Sequence, residues 1–433
     1  MGTETKQIHE GYKMTELGEI PNEWEVNLIG NIVNVTKLAG FEFTEYMKYT
    51  DDGEIIALRA LNLKNGKLKL DDIKKICRDI STKLPRSQLR SGDLLFSYVG
   101  TIGEMAIIEE NDKYHLAPNV AKLTCKLNDI TPKYLLYYLL SYYGKKEINK
   151  YLTTTSQPAL SMSNIRALKV IVPPLDEQQK IAEILSTVDE QIENTEKLIK
   201  STKELKKGLM QQLLTKGIGH KEFKDTEIGR IPIEWEVTTV GSLASFIGSG
   251  ITPKGGRSVY QNEGVLFIRS QNVHFLGIRL EDIAYISDEI DGKMKRTRVF
   301  ENDVLLNITG ASIGRCTVVP FGFPRANVNQ HVCIIRAKKE LYPYFLNSYL
   351  SSPLGQQQIF KQQLGQTREG LNFQQIREFK IVVPSIIEQQ KIAEILSSVD
   401  DEIESYEQQK AKYTELKKGL MQQLLTGRIR VTV

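Results

Sequence analysis

Apolar side chains recur at helical spacing in two long stretches of this chain. The first stretch follows Asp176 and places apolar or small residues alternately four and three positions apart, at Ile181, Leu185, Val188, Ile192, Thr195, Ile199 and Thr202. The second stretch repeats this spacing at Ile392, Leu396, Val399, Ile403, Tyr406, Lys410 and Tyr413. Such spacing is typical of a coiled-coil seam. Beyond each seam the stripe changes register, to Leu205, Leu209 and Leu213 and to Leu416, Leu420 and Leu424.

Each stretch predicts a helix of about 38 residues, or roughly 57 Å at the rise of an α-helix. Pro173 and Pro174 precede the first helix, and Gly217 and Gly219 follow it, which marks both of its ends. Neither helix can bury its apolar stripe alone. We therefore expect the two helices to pair as an antiparallel coiled coil, with the globular domains at opposite ends.

The segments outside the long helices have the pattern of strand-rich domains. Short apolar runs bounded by Gly, Asn or Pro predict strands at Ile55–Leu58, Asp93–Tyr98, Val265–Arg269, Asp303–Ile308 and Lys380–Val383. Each half also has one predicted helix that begins beside a proline, Lys133–Lys150 and Tyr344–Phe360. We assign the aromatic stripe Tyr134, Tyr138 and Tyr142 to the core rather than to base stacking. The predicted fold class is α+β, with two strand-rich domains alternating with two long helices.

An internal repeat relates the two halves of the chain. EQQKIAEILS at 177–186 returns unchanged at 388–397, ELKKGLMQQLLT at 204–215 returns unchanged at 415–426, and ELGEIPNEWEV at 16–26 returns as EIGRIPIEWEV at 227–237. The interiors match only as a skeleton, for example GDLLFSYVGTIGE at 92–104 against NDVLLNITGASIGR at 302–315. Near-identical helices beside divergent interiors indicate a shared partner for the helices and different ligands for the interiors. Local gene conversion of the ends is the alternative explanation.

The repeat divides the chain into four segments. We predict a first strand-rich domain at 1–172, a helical spacer at 173–215, a second strand-rich domain at 216–383 and a second helical spacer at 384–433. The offset between the halves slips and recovers within the interiors, which predicts small compensating insertions in loops.

Composition limits the class of protein. The 433 residues are 41% apolar, which suits a folded protein of two domains. The first residues, MGTETKQ, lack the apolar core of a signal peptide, and no run approaches the roughly 18 apolar residues of a membrane span. We therefore expect a cytoplasmic protein. Cys77, Cys125, Cys316 and Cys333 form no CxxC pair, so buried free thiols are expected rather than a zinc site or disulfides.

Basic residues cluster at corresponding places in the two halves. The net charge of +4 is too small to indicate a nucleic-acid ligand by itself. The clusters consist of Lys74, Lys75, Arg78, Lys83, Arg86 and Arg90 in the first half and of Lys293, Lys295, Arg296 and Arg298 in the second. Such clusters are usually solvated surface, but two of them at equivalent positions of a repeat suit contacts with DNA phosphates.

Residues beside two glycine loops are further candidates for contacting DNA. The loops Gly100–Gly103 and Gly310–Gly314 permit a close approach of the backbone, and the neighbouring candidates are Tyr98, Thr101, Thr309 and Arg315. Arg59 and Arg269 could bind guanine, and Gln271 or Asn272 adenine, because forked side chains match those base edges. Since both halves keep the Arg and the Asn, a structural role is an equally good interpretation. The better readers should lie where the halves differ, as at Gln157 and Arg368.

This combination resembles the specificity subunits of type I restriction-modification systems. The resemblance rests on two divergent domains, each followed by a near-identical helix that carries EQQKIAEIL and LKKGLMQQLL. It also includes the EIPxEWE-like segments at 19–25 and 230–236, the GxTP-like turn at Gly250–Pro253 and the GDLL element at Gly92–Leu95. Lys254 and Arg257 follow that turn and join the DNA-binding candidates. The first half differs here, with Gly40, Phe41, Glu42 and Phe43 in place of the turn.

The resemblance implies a non-catalytic subunit with two target-recognition domains, each reading one half of a bipartite site in double-stranded DNA. It implies two methyltransferase subunits that grip the helical regions, and restriction subunits that join for cleavage. No cofactor is expected in this chain, because S-adenosylmethionine belongs to the methyltransferase and ATP and magnesium to the restriction subunit. An antiparallel helix pair would relate the domains by a pseudo-two-fold axis and fix the length of an unread spacer. No membrane partner is implied.

Other classes of protein stay open as alternatives. An enzyme in its own right is disfavoured, because the chain has no GxxxxGK[ST], GxGxxG or HExxH motif. A coiled-coil adaptor without a DNA role would explain the helices, but not the divergent domains around repeated basic clusters. The nearest alternative is the specificity subunit of a modification-only or type IIB-like system.

Overall fold

The chain folds into two compact units that each contain helices and sheets, which confirms the predicted α+β class. The computed structural model describes residues 8–126, 128–152, 158–363 and 370–432, with Arg257 described by its backbone alone. The first unit comprises Met1–Thr195 with Gln409–Val433, and the second unit comprises Glu196–Gln408. Part of each long helix therefore belongs to each unit.

Two sheets form the centre of the first unit. The larger is antiparallel, with the strand order Met105–Ile107, Leu94–Ser97, Val120–Cys125 and Val33–Lys37. The smaller has the order Tyr114–Leu116, Ile55–Leu58 and Lys74–Ile76, and its first pair is parallel. Two-stranded ribbons join Tyr12–Thr15 with Gly18–Pro21, Glu25–Leu28 with Lys169–Val172, and Leu63–Lys64 with Lys67–Leu68.

The second unit repeats this strand order. Its first sheet has the order Ala244–Ser249, Val332–Ala337, Val304–Asn307 and Cys316–Val318. Its second sheet has the order Ala284–Ile286, Val265–Ile268, Ala326–Val328 and Arg298–Val299. The ribbons join Phe223–Thr226 with Gly229–Pro232, Glu236–Thr239 with Lys380–Val383, and Val273–His274 with Gly277–Ile278. The strands predicted from the sequence are confirmed to within one residue at each end.

Short helices surround the sheets. In the first unit these are Ile29–Ile32, Gly40–Tyr46, Arg78–Lys83, Pro132–Leu140, Tyr142–Asn149 and Met162–Ala167, with 3₁₀ turns at Ala60–Asn62 and Pro85–Ser87. In the second they are Val240–Leu243, Asp288–Lys293, Pro343–Ser351, Pro353–Lys361 and Phe373–Glu378, with 3₁₀ turns at Gly256–Val259, Ser270–Asn272, Lys295–Thr297 and Gly310–Ser312.

The helix predicted at the proline in each half is in fact two helices, so that prediction was wrong. Ser141 breaks the first, and its Oγ accepts a hydrogen bond from Gly144 N at 3.2 Å to start a new helix. Ser352 and Gly355 make the same cap at 3.3 Å. The break turns Tyr142 outwards to 72% exposure, whereas Tyr134 and Tyr138 are buried as predicted.

Two long helices are present as predicted, at Leu175–Lys216 and Ile386–Leu424. In the first unit Lys417 pairs with Asp189 at 2.6 Å, and Arg430, later in the chain, pairs with Glu177, earlier in the first helix. In the second unit the same opposition links Lys203 with Glu407 and Lys206 with Asp400. Within each unit the two helical segments are thus antiparallel.

The coiled-coil seam is mostly buried, but the predicted change of register is only partly right. Seam residues such as Ile181, Leu185, Ile392 and Leu396 lie in the cores. Leu205 and Leu416, however, are 55% and 49% exposed. Near the end of the first helix, Met210 and Leu214 pack instead with Ile231 and Trp235, so the burial there follows the sheet domain rather than the seam.

Candidate nucleic-acid interface

A pocket of about 400 Å³ opens on the first domain where three strands end. Arg59, Ala60 and Leu61 follow the strand Ile55–Leu58; Val99, Gly100 and Thr101 follow Leu94–Ser97; Pro118 and Asn119 follow Tyr114–Leu116; and Tyr49 completes the lining. Because Ile55–Leu58 and Tyr114–Leu116 are parallel, their carboxyl ends meet at one edge of the sheet. The pocket brings together two of the predicted DNA-binding residues, Arg59 and Thr101.

A hydrogen-bonded loop fixes Arg59 at the pocket, and we call this arrangement the arginine brace. Arg59 Nη2 donates to the carbonyl oxygen and to Oδ1 of Asp72, both at 2.9 Å. Asn62 is buried; its Nδ2 donates to Asp72 O at 2.7 Å, and its Oδ1 accepts from Arg59 N at 3.1 Å. Arg59 is therefore held in place from both its backbone and its side chain.

The same brace recurs in the second domain. Arg269 Nη2 donates to Asp282 O, and Asn272 Oδ1 accepts from Arg269 N at 3.0 Å. Asn272 is 1% exposed and bonds Arg279 O, so it is not presented to a ligand. In both braces the arginine Nε is buried without a hydrogen-bond partner among the described residues. The geometry supports the structural interpretation for Asn62 and Asn272, and a positioning role for the two arginines.

Gln271 differs from its neighbours in the brace. Its side chain is exposed, and the next residue is the buried Asn272. Of the two amides predicted to bind adenine, only Gln271 is placed where it could do so.

The glycine loops have the backbone conformation that the sequence suggested. Gly100, Gly103, Gly310 and Gly314 all have φ between 73° and 86°, which favours glycine. Val99 makes an isolated β-bridge to Ala159, and Thr309 makes the corresponding bridge to Gly370. Gln157 and Arg368, predicted as readers because the halves differ there, lie outside the described residues.

The basic cluster of the first domain is exposed. Lys83, Arg86 and Arg90 project from the short helix Arg78–Lys83, the turn Pro85–Ser87 and the loop after it. No ion pair involves these three side chains within the described part of the chain. They are therefore available for contacts with phosphates.

The basic cluster of the second domain is partly neutralised. Arg298 donates from Nε and Nη2 to the buried Asp291, at 2.9 and 2.6 Å, so its charge belongs to the core. Lys293 pairs with Glu289 at 2.6 Å on the surface. Lys295 and Arg296 are exposed, and the Arg296 guanidinium lies 5.7 Å from the centre of the Phe246 ring. Lys295 and Arg296 are the better candidates for phosphate contacts here.

The other predicted residues are scattered. Tyr98 is half-buried beside Lys37, whose Nζ lies 5.9 Å from the ring centre, and burial raises the pKa of Tyr98. Arg315 is half-exposed after its glycine loop, and Lys254 is exposed on its turn. Nothing is described of the Arg257 side chain. Thr309 Oγ1 lies 2.5 Å from His331 Nδ1.

Comparison with known proteins assigns the family. The family described as "Type I restriction modification DNA specificity domain" matches residues 21–204 and 232–414. The chain belongs to the type I DNA specificity subunits. A putative type I restriction enzyme specificity subunit, MjaX of Methanocaldococcus jannaschii, is 30% identical over 440 residues, covering 98% of this chain and 97% of the relative. The MjaVIII specificity subunit of the same organism is 28% identical, covering 98% and 96%.

Solved structures agree on the fold. The crystal structure of a type I S subunit from M. genitalium aligns with a TM-score of 0.60 at 16% identity, covering 93% of this chain and 96% of that one. As a member of this family, the chain is a non-catalytic specificity subunit. No helix within the described ranges is both long and apolar enough to span a membrane.

Sequence reasoning missed several residues at the pocket of this specificity subunit. Tyr49 and Asn119 line it, and neither was a candidate. His331 was also missed, although it contacts Thr309. A signal was present for Tyr49, because Tyr260 stands in the equivalent place before the second brace and its ring centre lies 5.6 Å from the Arg269 guanidinium.

The cysteine prediction needs one correction. Cys125, Cys316 and Cys333 are buried free thiols, and burial raises the pKa of each to about 12. Cys77 is exposed instead, because it lies at the surface end of the edge strand Lys74–Ile76. Among the described residues no group of three or more His, Cys, Asp or Glu could hold a metal ion.

Proposed function

We propose that this specificity subunit binds a bipartite, asymmetric target in double-stranded DNA, one half-site for each domain, and leaves the spacer between them unread. The observation that carries the proposal is the repetition of one strand order and one arginine brace in two domains whose exposed side chains differ. A common framework with different surfaces suits two readers of different sequences. We keep the domain limits 1–172 and 216–383 as part of the proposal.

The helical segments 173–215 and 384–433 would dock the partner subunits. Their sequences EQQKIAEILS and ELKKGLMQQLLT are identical in both copies, and Leu205 and Leu416 expose apolar surface at corresponding positions. Two identical surfaces suit two copies of one partner, the methyltransferase subunit, with restriction subunits joining the complex. S-adenosylmethionine would then lie on the methyltransferase, and ATP and magnesium on the restriction subunit, in the cytoplasm.

Domain exchange tests this proposal. Residues 27–172 are replaced by the corresponding segment of a relative with a known target, and the hybrid is expressed with its methyltransferase. We expect methylation mapping to show one half of the target changed and the other half and the spacer kept. Exchange of residues 238–383 is the matched control and should change only the opposite half. Hybrids that change both halves together would contradict the modular function.

A further inference from the structure

The pocket of the first domain has a counterpart in the second, which strand pairing identifies. Ile56 pairs with Tyr114 and Lys75, and Leu266 pairs with Ala326 and Tyr285. The loop bonds agree, since Tyr98 N donates to Asn119 O and Ile308 N donates to His331 O, both at 3.0 Å. The corresponding lining residues are Tyr49 and Tyr260, Arg59 and Arg269, Leu61 and Gln271, Val99 and Thr309, Pro118 and Gln330, and Asn119 and His331.

Part of the lining is common to both domains. Each has a tyrosine beside the arginine of a brace, and each has a glycine with positive φ at the start of the loop, Gly100 or Gly310. Burial raises the pKa of Tyr49, while the positive charge of Arg59 opposes that rise. This shared part has the same chemistry in both domains, so it cannot tell one half-site from another.

The remaining positions differ in chemistry. In the first domain Leu61, Val99 and Pro118 present apolar surface, and Leu61 is 48% exposed. In the second domain all three are replaced by hydrogen-bonding side chains, Gln271, Thr309 and Gln330.

Two of these polar replacements are already engaged. Thr309 lies 2.5 Å from His331 Nδ1, and Gln330 Nε2 lies 3.3 Å from His331 Nε2. These contacts hold both ring nitrogens of His331. Gln271 is exposed, and its backbone oxygen rather than its amide contacts His274. Gln271 is therefore the polar group presented to a ligand.

We propose that this pocket reads one base pair in each half-site, an inference that rests on the DNA-binding function proposed above. In the first domain Leu61, Val99 and Pro118 contact the methyl group of thymine, which is the apolar group that a base presents in the major groove. In the second domain Gln271 bonds adenine through its amide, which matches the N6 and N7 edge. The tyrosine, arginine and glycine position these readers.

The test uses the full chain with its methyltransferase subunit and a duplex library randomised in both half-sites. In Gln271→Leu the preference for adenine at one position should fall roughly 5- to 150-fold, the worth of a bidentate contact. In Leu61→Gln the preference for thymine at one position of the other half-site should fall about fourfold, the worth of one methyl group. Leu28→Gln and Gln357→Leu, exposed side chains outside the pocket, should leave both preferences unchanged.

The outcomes separate the two proposals. Loss of preference at one position in each variant supports the pocket, whereas wild-type preferences in both variants overturn it. An equal loss at every position would also overturn it, because it would mean weaker folding or binding rather than altered reading. A wild-type complex without any sequence preference would refute the proposed function itself, and the pocket with it.

Discussion

One buried site is filled by ions in the second unit and by neutral groups in the first. In the second unit the fully buried Asp291 accepts hydrogen bonds from Arg298, Arg325 and Asn327. Strand pairing places His115 of the first unit where Asn327 lies, since His115 pairs with Ala57 and bridges Gln88 as Asn327 pairs with Phe267 and Arg298.

In the first unit this site has no carboxylate. His115 is fully buried and its Nδ1 contacts Leu116 O at 2.8 Å, while Gln88 Nε2 donates to Ser81 O at 3.0 Å. The backbone pairing is the same, so the side chains have changed together while the core stays filled. Sequence divergence between the halves is therefore not by itself a sign of base reading. Only divergent positions that are also exposed, such as Leu61 and Gln271, carry that meaning.

Removing the buried carboxylate should have the largest effect on stability. Asp291→Ala leaves the Arg298 and Arg325 guanidinium groups facing each other, and we expect a loss of about 3 kcal/mol, since both arginines are partly exposed and can recover some hydration. Hydrogen exchange resolved along the chain should show faster exchange in the second unit. Ser81→Ala, the matched change in the first unit, should cost less than about 1 kcal/mol. Equal losses would refute the comparison.

The ion cluster also predicts unequal contributions to DNA binding. The first domain has Lys83, Arg86 and Arg90 exposed, whereas the second has Lys295 and Arg296 after Arg298 is taken by Asp291. Each lost phosphate contact should lower the slope of log affinity against log salt by about 0.9.

We therefore expect the triple alanine variant of the first domain to lower the slope by about 2.7 and the double variant of the second by about 1.8. Titration of binding against salt for the assembled complex measures both values. Arg298→Ala should weaken the second unit without a matching change of slope. A changed base preference with an unchanged slope would show that these residues do not contact phosphates.

The two sites should respond to acid in different ranges of pH. Burial lowers the pKa of His115, so the ring stays neutral in the folded state while the unfolded chain takes up a proton below about pH 6.5. Because the unfolded state then binds more protons, this contribution to stability is lost as the pH falls from about 6.5.

Asp291 behaves differently, although it too is buried. Burial raises its pKa, but hydrogen bonds from Arg298, Arg325 and Asn327 outweigh burial and leave the pKa lowered. Its contribution is present above about pH 3.9 and is lost only below that. Hydrogen exchange at pH 7 and pH 5 should show a loss of protection in the first unit, by at most about 1.4 kcal/mol per pH unit from this residue. His115→Gln should abolish that part of the loss. An unchanged pH response in this variant would remove His115 from the explanation.

Periodicity predicted the parts of the fold that repeat over many residues. The steps of four and three at Ile181, Leu185 and Val188 require a helical seam, and these residues are buried. The break at Ser141 was missed because a serine inside a helical pattern shows its capping role only once the tight contact at Gly144 is known. Leu205 was misplaced because the sheet domain, which the stripe cannot indicate, determines burial there.

The candidate site was predictable only in part. Arg59 and Thr101 were found because the repeat and the glycine loop drew attention to them, and they do line one pocket. Arg298 was counted as a phosphate contact because its acidic partner, Asp291, looks like any surface aspartate in the sequence. Tyr49 and Asn119 come from segments far apart in the chain, and only the parallel pairing of two strands brings them to one edge.

The most direct test of the central claim is a map of DNA methylation in the host with and without this gene. A specificity subunit with two different reading domains predicts that one motif disappears on deletion, and that this motif has two unlike halves separated by a spacer of fixed length. Restoring the gene should restore the same motif. Loss of an uninterrupted motif, or no loss of any motif in a host that expresses the methyltransferase, would contradict the account.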